Sequence, residues 1–216
     1  LASLDISRRN LALRGEESFA KVMDMAEYAR REINEIGGYY AYGKELVNGT
    51  SVYDYDVTKL SVHTLGLGLA GIEVYDLLRD EYDIQIEFGD VSNILAYISI
   101  GDRLQDIERL VGALADIARI YKKDSTGMLS GEFISPIVAR SPQEAFYSAK
   151  ESLPVEKTEG RISGEFVMCY PPGIPILAPG EMITDEIIQY ILYVKEKGCS
   201  MQGTEDKSVN KLKVLV

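Results

Sequence analysis

Residues 169–181 read CYPPGIPILAPGE and run on directly from the β-rich stretch RISGEFVMCY at 161–170. Four of the chain's seven prolines, Pro171, Pro172, Pro175 and Pro179, fall within nine residues. Proline has no N–H to offer a ladder and is confined to sheet edges, strand starts and loops. The stretch therefore reads as the point where a strand ends and the chain leaves the sheet along a stiff, extended path. Gly173 and Gly180 supply turns that other residues would resist. Such a segment has little freedom left to lose on ordering, which suits it to holding a surface against another domain or a site. Glu181 stands at its exit. Beyond it, TDEIIQYILYVKEKG (184–198) reads as a helix with Thr184 as cap, two acids in its first turn and Gly198 as its stop.

The same reading extends outward in both directions. KLKVLV (211–216) is a final strand, and SPQEAFYSAK (141–150) is a short helix with Pro142 at its first position. The clearest amphipathic helix is DRLQDIERLVGALADIARIYKK (102–123). Leu104, Ile107, Leu110, Val111, Leu114, Ile117, Ala118 and Tyr121 share one of its faces, and Asp102 is placed to cap it. IQIEF (84–88) and ILAYISI (94–100) are β-rich runs separated by the turn-like GDVSN, and KLSVHTL (59–65) is another strand. Helices are expected at IEVYDLLRDEY (72–82) and at 16–36, where Phe19, Val22, Met23, Ala26, Ile33 and Ile36 recur at helical spacing before Gly37-Gly38. The opening LASLDISRRNLAL already has the pattern of a helix interior, so the chain is expected to be a piece of something longer. Several strand pairs lie too close in sequence for helical crossovers. The expected fold is α+β, a mostly antiparallel sheet with helices on one face.

Composition narrows the function classes. The chain has 216 residues, enough for a substantial core, and a net charge of −11. That charge argues against a nucleic-acid groove, which needs clustered Lys and Arg. No apolar run approaches the roughly 20 residues that span a bilayer. Only two cysteines occur, Cys169 and Cys199, in no metal-binding spacing. With no signal peptide visible, a reducing, cytoplasmic location is expected, and the sequon Asn48-Gly49-Thr50 carries no weight.

No self-contained catalytic set appears. His63 is the only histidine, with no second His or Cys near it. GLGLAG (66–71) contains G-x-G-x-x-G between a strand and a helix, a weak phosphate-loop match without the βαβ series it requires. Glu87 is the most suggestive acid, a carboxylate where the strand IQIEF gives way to Gly89, equally suited to a ligand or to water.

Taken together, SLDISRRNLAL, IQIEFGDVSNILAYISIGD, SPQEAF, GRISGEFVMCYPPGIPILAPGEMIT and KLKVLV resemble, in order, the C-terminal part of the bacterial ornithine/lysine/arginine decarboxylases that use pyridoxal phosphate. The resemblance implies a fold-type-I enzyme. Residues 1–50 would be the helical tail end of its cofactor-binding large domain with a linker helix, and 51–216 a smaller C-terminal α+β domain. It implies a cofactor held by a lysine in Ser-x-His-Lys. His63 is followed by Thr64 and that motif is absent here, so pyridoxal 5'-phosphate would be bound upstream and this piece would not catalyse alone. By its match to the family, Glu87 is the candidate contact for the substrate's distal cation, with Tyr170 and Glu181 as site-wall candidates. The implied partners are a basic amino acid, the chain's own N-terminal cofactor domain and further copies in a homo-oligomer. Gln143 stands where an arginine is common in the family, which puts any ion pair there in doubt. The rival readings are a non-catalytic α+β binding or oligomerisation module and a fragment of a fold-type-I aminotransferase.

Overall fold

A computed structural model describes residues 1–125, 134–170 and 172–216. The chain forms two compact units, Leu1–Thr126 and Gly127–Val216. Residues 1–50 thus share a unit with 51–126, and the boundary expected near residue 50 falls inside it.

In the first unit, helix α1 spans Ala2–Ile36 as one 35-residue element, so the opening residues and the stretch 16–36 are a single helix. Val22, Ala26, Ala29 and Ile33 form its buried stripe, whereas Phe19 and Met23, expected on that face, stay exposed. Then follow β1 (Tyr40–Ala41), β2 (Lys59–His63), α2 (Gly71–Tyr82), β3 (Phe88–Gly89), β4 (Asn93–Tyr97) and α3 (Leu104–Ile120). The strands pair antiparallel in the order β1-β2-β4-β3. Leu60, Val62, Ile94 and Ala96 alternate onto one face and pack with residues of all three helices, among them Val74, Leu78, Ile107, Leu114 and Ile117. The run expected as a strand at 84–88 is shorter, because Glu87 donates its backbone N–H to the Leu95 carbonyl (3.0 Å) while Phe88 also stands opposite Leu95. Two residues against one is a bulge.

Asp102 does not cap α3. Its carboxylate accepts the Ser99 N–H at 2.6 Å, and Asp106 instead closes the helix start by accepting the Arg103 N–H at 3.0 Å. The acid one turn in reaches back to the free amide, as in the reciprocal half of a capping box.

The second unit contains α4 (Pro142–Tyr147), β5 (Lys150–Pro154), β6 (Val167–Tyr170), β7 (Ile174–Leu177), α5 (Asp185–Glu196), β8 (Ser200–Gln202) and β9 (Lys211–Leu215). They make two antiparallel sheets, β5-β9 and β7-β6-β8. Val167, Leu177, Ile183, Ile187, Ile191, Leu212 and Val214 form the core. Ser141 caps α4 and Thr184 caps α5, as their sequences predict.

The proline stretch departs from expectation. Instead of leaving the sheet, the chain turns back at Gly173 (φ 92°) and continues as β7, with Pro175 opposite Met168. β7 is an edge strand, with β6 on one side only, so a residue lacking an N–H is accommodated there. A register shift between Val167 and Met168 absorbs the irregularity. Of the strand expected over 161–170, only Val167–Tyr170 pairs continuously. Ile162 and Ser163 make single bridges, to Met182 and Val214. Pro171 lies outside the described residues.

Candidate functional site

The three residues singled out by resemblance divide between the units, with Glu87 in the first and Tyr170 and Glu181 in the second.

Glu87 sits on the bulge of edge strand β3. Ile86, one residue earlier, is buried among the core residues, which turns Glu87 outward. Its carboxylate makes no hydrogen bond or ion pair among the described residues. Beside it runs the face of the sheet that no helix of the unit covers. Tyr40, Lys59, Ser61, His63, Phe88, Asn93, Leu95 and Tyr97 alternate onto that side, opposite the core stripe. Tyr40 and Tyr42 pack edge to face at 5.2 Å, and Tyr42 meets His63 at 6.5 Å. The Lys59 ammonium lies 4.2 Å from the centre of the Tyr97 ring, a cation–π contact.

His63, within the stretch read from sequence as a strand, is the last residue of β2. Its Nδ1 is 3.3 Å from Asn93 Oδ1, and Asn93 Nδ2 is 3.4 Å from Asp90 Oδ1. The Asp90 carboxylate also accepts the N–H groups of Ser92 and Asn93, both at 2.7 Å. The Asn93 side chain thus bridges the Asp90 carboxylate and the His63 ring. Burial, with the Asp90 charge adding to it, raises the Tyr42 phenol above its ordinary range. Nothing in the sequence pattern joined Asp90, Asn93 and His63, because their meeting depends on the β2–β4 register.

The GLGLAG segment is not an open phosphate cradle. A Cβ at Gly66 would stand 2.6 Å from the Gly38 oxygen, and one at Gly71 would collide with the Asn93 backbone. These glycines let chain segments touch. At the start of α2, where a phosphate would bind, the Glu73 carboxylate accepts the Ala70 N–H at 2.8 Å. Among the described residues no cluster of three His, Cys, Asp or Glu could hold a metal ion. No described helix is long and apolar enough to cross a membrane.

In the second unit Glu181 is engaged in its own turn. Its Oε2 accepts the Ala178 N–H at 2.8 Å, and its N–H returns to the Ala178 carbonyl at 3.2 Å. Pro179-Gly180, with Gly180 at φ 95°, has the residue pattern of a type II turn. The Gly180 carbonyl accepts from Ala139 (2.9 Å) and Arg140 (3.0 Å), and a Cβ at Gly180 would strike the Arg140 oxygen. Tyr170 ends β6, half exposed, opposite Ser200.

Comparison with known proteins finds similar chains. Residues 130–207 match the family described as Orn/Lys/Arg decarboxylase, C-terminal domain. Over 218 residues the chain is 38% identical to an arginine decarboxylase of Bacillus subtilis, and over 221 residues 39% identical to one of Halalkalibacterium halodurans. Each alignment takes in 100% of this chain and 44% of the relative. The solved lysine decarboxylase of Francisella novicida superposes with a TM-score of 0.65 at 19% identity, covering 94% of this chain and 40% of that one, a likeness of fold. Over residues 130–207 the chain is similar to the C-terminal domain of the Orn/Lys/Arg decarboxylases, and along its whole length it is similar to part of two arginine decarboxylases. It spans under half the length of these relatives.

Proposed function

We propose that this chain is the C-terminal part of a pyridoxal-phosphate-dependent decarboxylase acting on arginine, lysine or ornithine. In it, this part selects the substrate and helps close the site. The observation that carries the reading is the outward Glu87 carboxylate, unpaired among the described residues, in a chain aligned along its whole length with two arginine decarboxylases. No Ser-x-His-Lys occurs here, so the cofactor's lysine belongs upstream. When bound there, the cofactor accepts the electron pair released as the α-carboxylate leaves.

Glu87's task is electrostatic. Facing an ammonium or guanidinium at about 4 Å and intermediate dielectric, a carboxylate favours the cation over a neutral side chain by on the order of a few kcal/mol. That separates basic from neutral amino acids and leaves the three basic ones closely matched. Tyr170 is a candidate substrate contact by resemblance alone, and Glu181 supports the turn that precedes α5. The full-length enzyme works as a cytoplasmic homo-oligomer in this reading.

The test is carbon dioxide release by the full-length protein given arginine, lysine and ornithine. Release from at least one is expected, and absence of Ser-x-His-Lys upstream would end the proposal. In the same protein Glu87→Gln should raise the Michaelis constant for the preferred substrate about tenfold or more, the effect of losing one charge-assisted contact. Unchanged constants for all three substrates would remove Glu87 from the site.

A further inference from the structure

The direction of the Glu87 carboxylate is set by backbone alone. The side chain has no partner among the described residues, so its place follows from where the bulge at Glu87 and Phe88 stands against β4. That bulge is fastened on both sides. Before it Ile86 is buried in the core, and after it Gly89 is buried and pairs with Ile94.

Beyond the bulge, backbones meet with no side chain between them. A Cβ on Gly89 would collide with the carbonyl of Gly71, the first residue of α2, and would stand 2.8 Å from the Tyr75 Cβ. A Cβ on Gly71 would collide in turn with the Asn93 backbone on β4. Neither glycine has a positive φ, so what they supply is space. Hydrogen bonds close the same junction. The Ile72 N–H donates to the Asp90 carbonyl and the Asp90 N–H to the Asn93 carbonyl, both at 2.8 Å. The Asp90 carboxylate gathers the amides of Ser92 and Asn93. A methyl group at Gly89 would have to part β3 from α2 by about 1 Å to reach ordinary contact, and Glu87 lies two residues away along the same segment.

We propose that the Gly71–Gly89 backbone contact makes Gly89 a specificity-determining positioning residue: it fixes how far the Glu87 carboxylate reaches, and so which length of basic side chain the full-length enzyme prefers. This rests on the reading of Glu87 as the contact for the substrate's distal cation. A carboxylate attracts all three basic side chains, so charge alone does not rank them. They differ in reach. The ornithine ammonium sits one methylene nearer the α-carbon than that of lysine, and arginine ends in a planar guanidinium. Near 4 Å, moving a carboxylate by about 1 Å changes its attraction by about a fifth, and errors of that size in a site can cost up to about 100-fold in rate. Backbone packing that excludes even a methyl group holds the carboxylate within a narrower range than a flexible loop does.

The experiment measures carbon dioxide release from arginine, lysine and ornithine by full-length wild type, Gly89→Ala, Glu87→Gln and the double variant. Gly89→Ala is expected to change the ratio of kcat/KM between the preferred substrate and another of the three by about threefold or more, chiefly through KM. In the Glu87→Gln background the same substitution should leave that ratio in place, because the charge it positions is gone. An equal fall for all three substrates, or the same change in ratio without the carboxylate, would overturn the proposal. Should Gly89→Ala fail to fold, Asp90→Ala keeps the Gly71–Gly89 space and removes the acceptor of the Ser92 and Asn93 amides. It should shift the ratio in the same carboxylate-dependent way, and unchanged ratios there would count against the positioning role as decisively. Glu87→Gln with wild-type constants for all three substrates would sink the reading of Glu87 itself. A Glu87→Gln effect with unchanged ratios in Gly89→Ala would sink the positioning alone.

Discussion

Arg30 shows how a charged side chain can become structural without a strong ion pair. It is 5% exposed on the buried stripe of α1, and its guanidinium donates to the carbonyls of Val57 (2.6 Å), Tyr42 (2.7 Å) and Lys59 (3.2 Å). It ties the irregular stretch between β1 and β2 to the helix, while Glu27, its ion-pair partner, is mostly exposed. Arg30→Met should lower unfolding free energy by about 2–4 kcal/mol, since two or three partly buried acceptors lose their donor, measurable by urea denaturation. Glu181 allows a sharper separation of roles. If its carboxylate serves chiefly to accept the Ala178 N–H, Glu181→Gln, which keeps an acceptor, should leave stability close to wild type. Glu181→Ala should cost about 1 kcal/mol. A full-length enzyme whose Michaelis constant rises in Glu181→Gln at unchanged stability would return Glu181 to the substrate wall. Asp206 supplies a pH dependence. The Ser208 N–H, joined by those of Asn210 and Lys211 and opposed by a smaller cost of desolvation, holds its carboxyl below the usual range. Its stabilising contribution is therefore complete above about pH 4 and is lost as pH falls through the lowered value. Carbon-13 titration of the Asp206 carboxyl should find a midpoint below that of an unstructured aspartate, and a midpoint at or above it would refute the turn's role. None of these three roles was legible in the sequence, because each depends on which backbone groups the fold leaves without partners.

At the scale of elements, the sequence was most readable where local chemistry decides the outcome. Ser141 with Pro142 and Thr184 with its two following acids announce helix starts by satisfying amides within their own first turn, and both caps form. Asp102 failed by the same logic: a competing amide, that of Ser99, lay nearer to its carboxylate. The prolines misled for a different reason. Their lack of an N–H excludes them from a strand with neighbours on both sides, yet nothing local reveals that β7 has a neighbour on one side alone. That position also gives Pro175 a protective use, since an exposed edge strand is a template for pairing with other chains. Pro175→Val restores a donor on an exposed residue in the apolar run Ile174–Leu177. It should raise light scattering on prolonged incubation while leaving the circular dichroism of the freshly prepared protein unchanged. Equal scattering from variant and wild type would show that the edge is protected by something else.

Across the whole molecule, the antiparallel α+β character was legible because alternating apolar positions and short connections leave few other ways to bury those strands. Two separate cores were not legible, since the residues that fill them follow one another along the chain without a compositional break. Leu114 is fully buried in the cluster that joins α1, α2 and α3 to the first sheet, and Ile191 is fully buried in the cluster beneath α5. Neither cluster shares a residue with the other. Truncating either side chain to alanine removes a branched aliphatic group from a filled site, at a cost of about 2–5 kcal/mol. Because each cluster is made only of residues from its own unit, the loosening should appear there first. Leu114→Ala is expected to speed amide exchange in α1, α3 and β2, and Ile191→Ala in α5, β6 and β9, each with the larger effect in its own unit. Equal acceleration in both units from either substitution would mean that the two cores melt as one cooperative body.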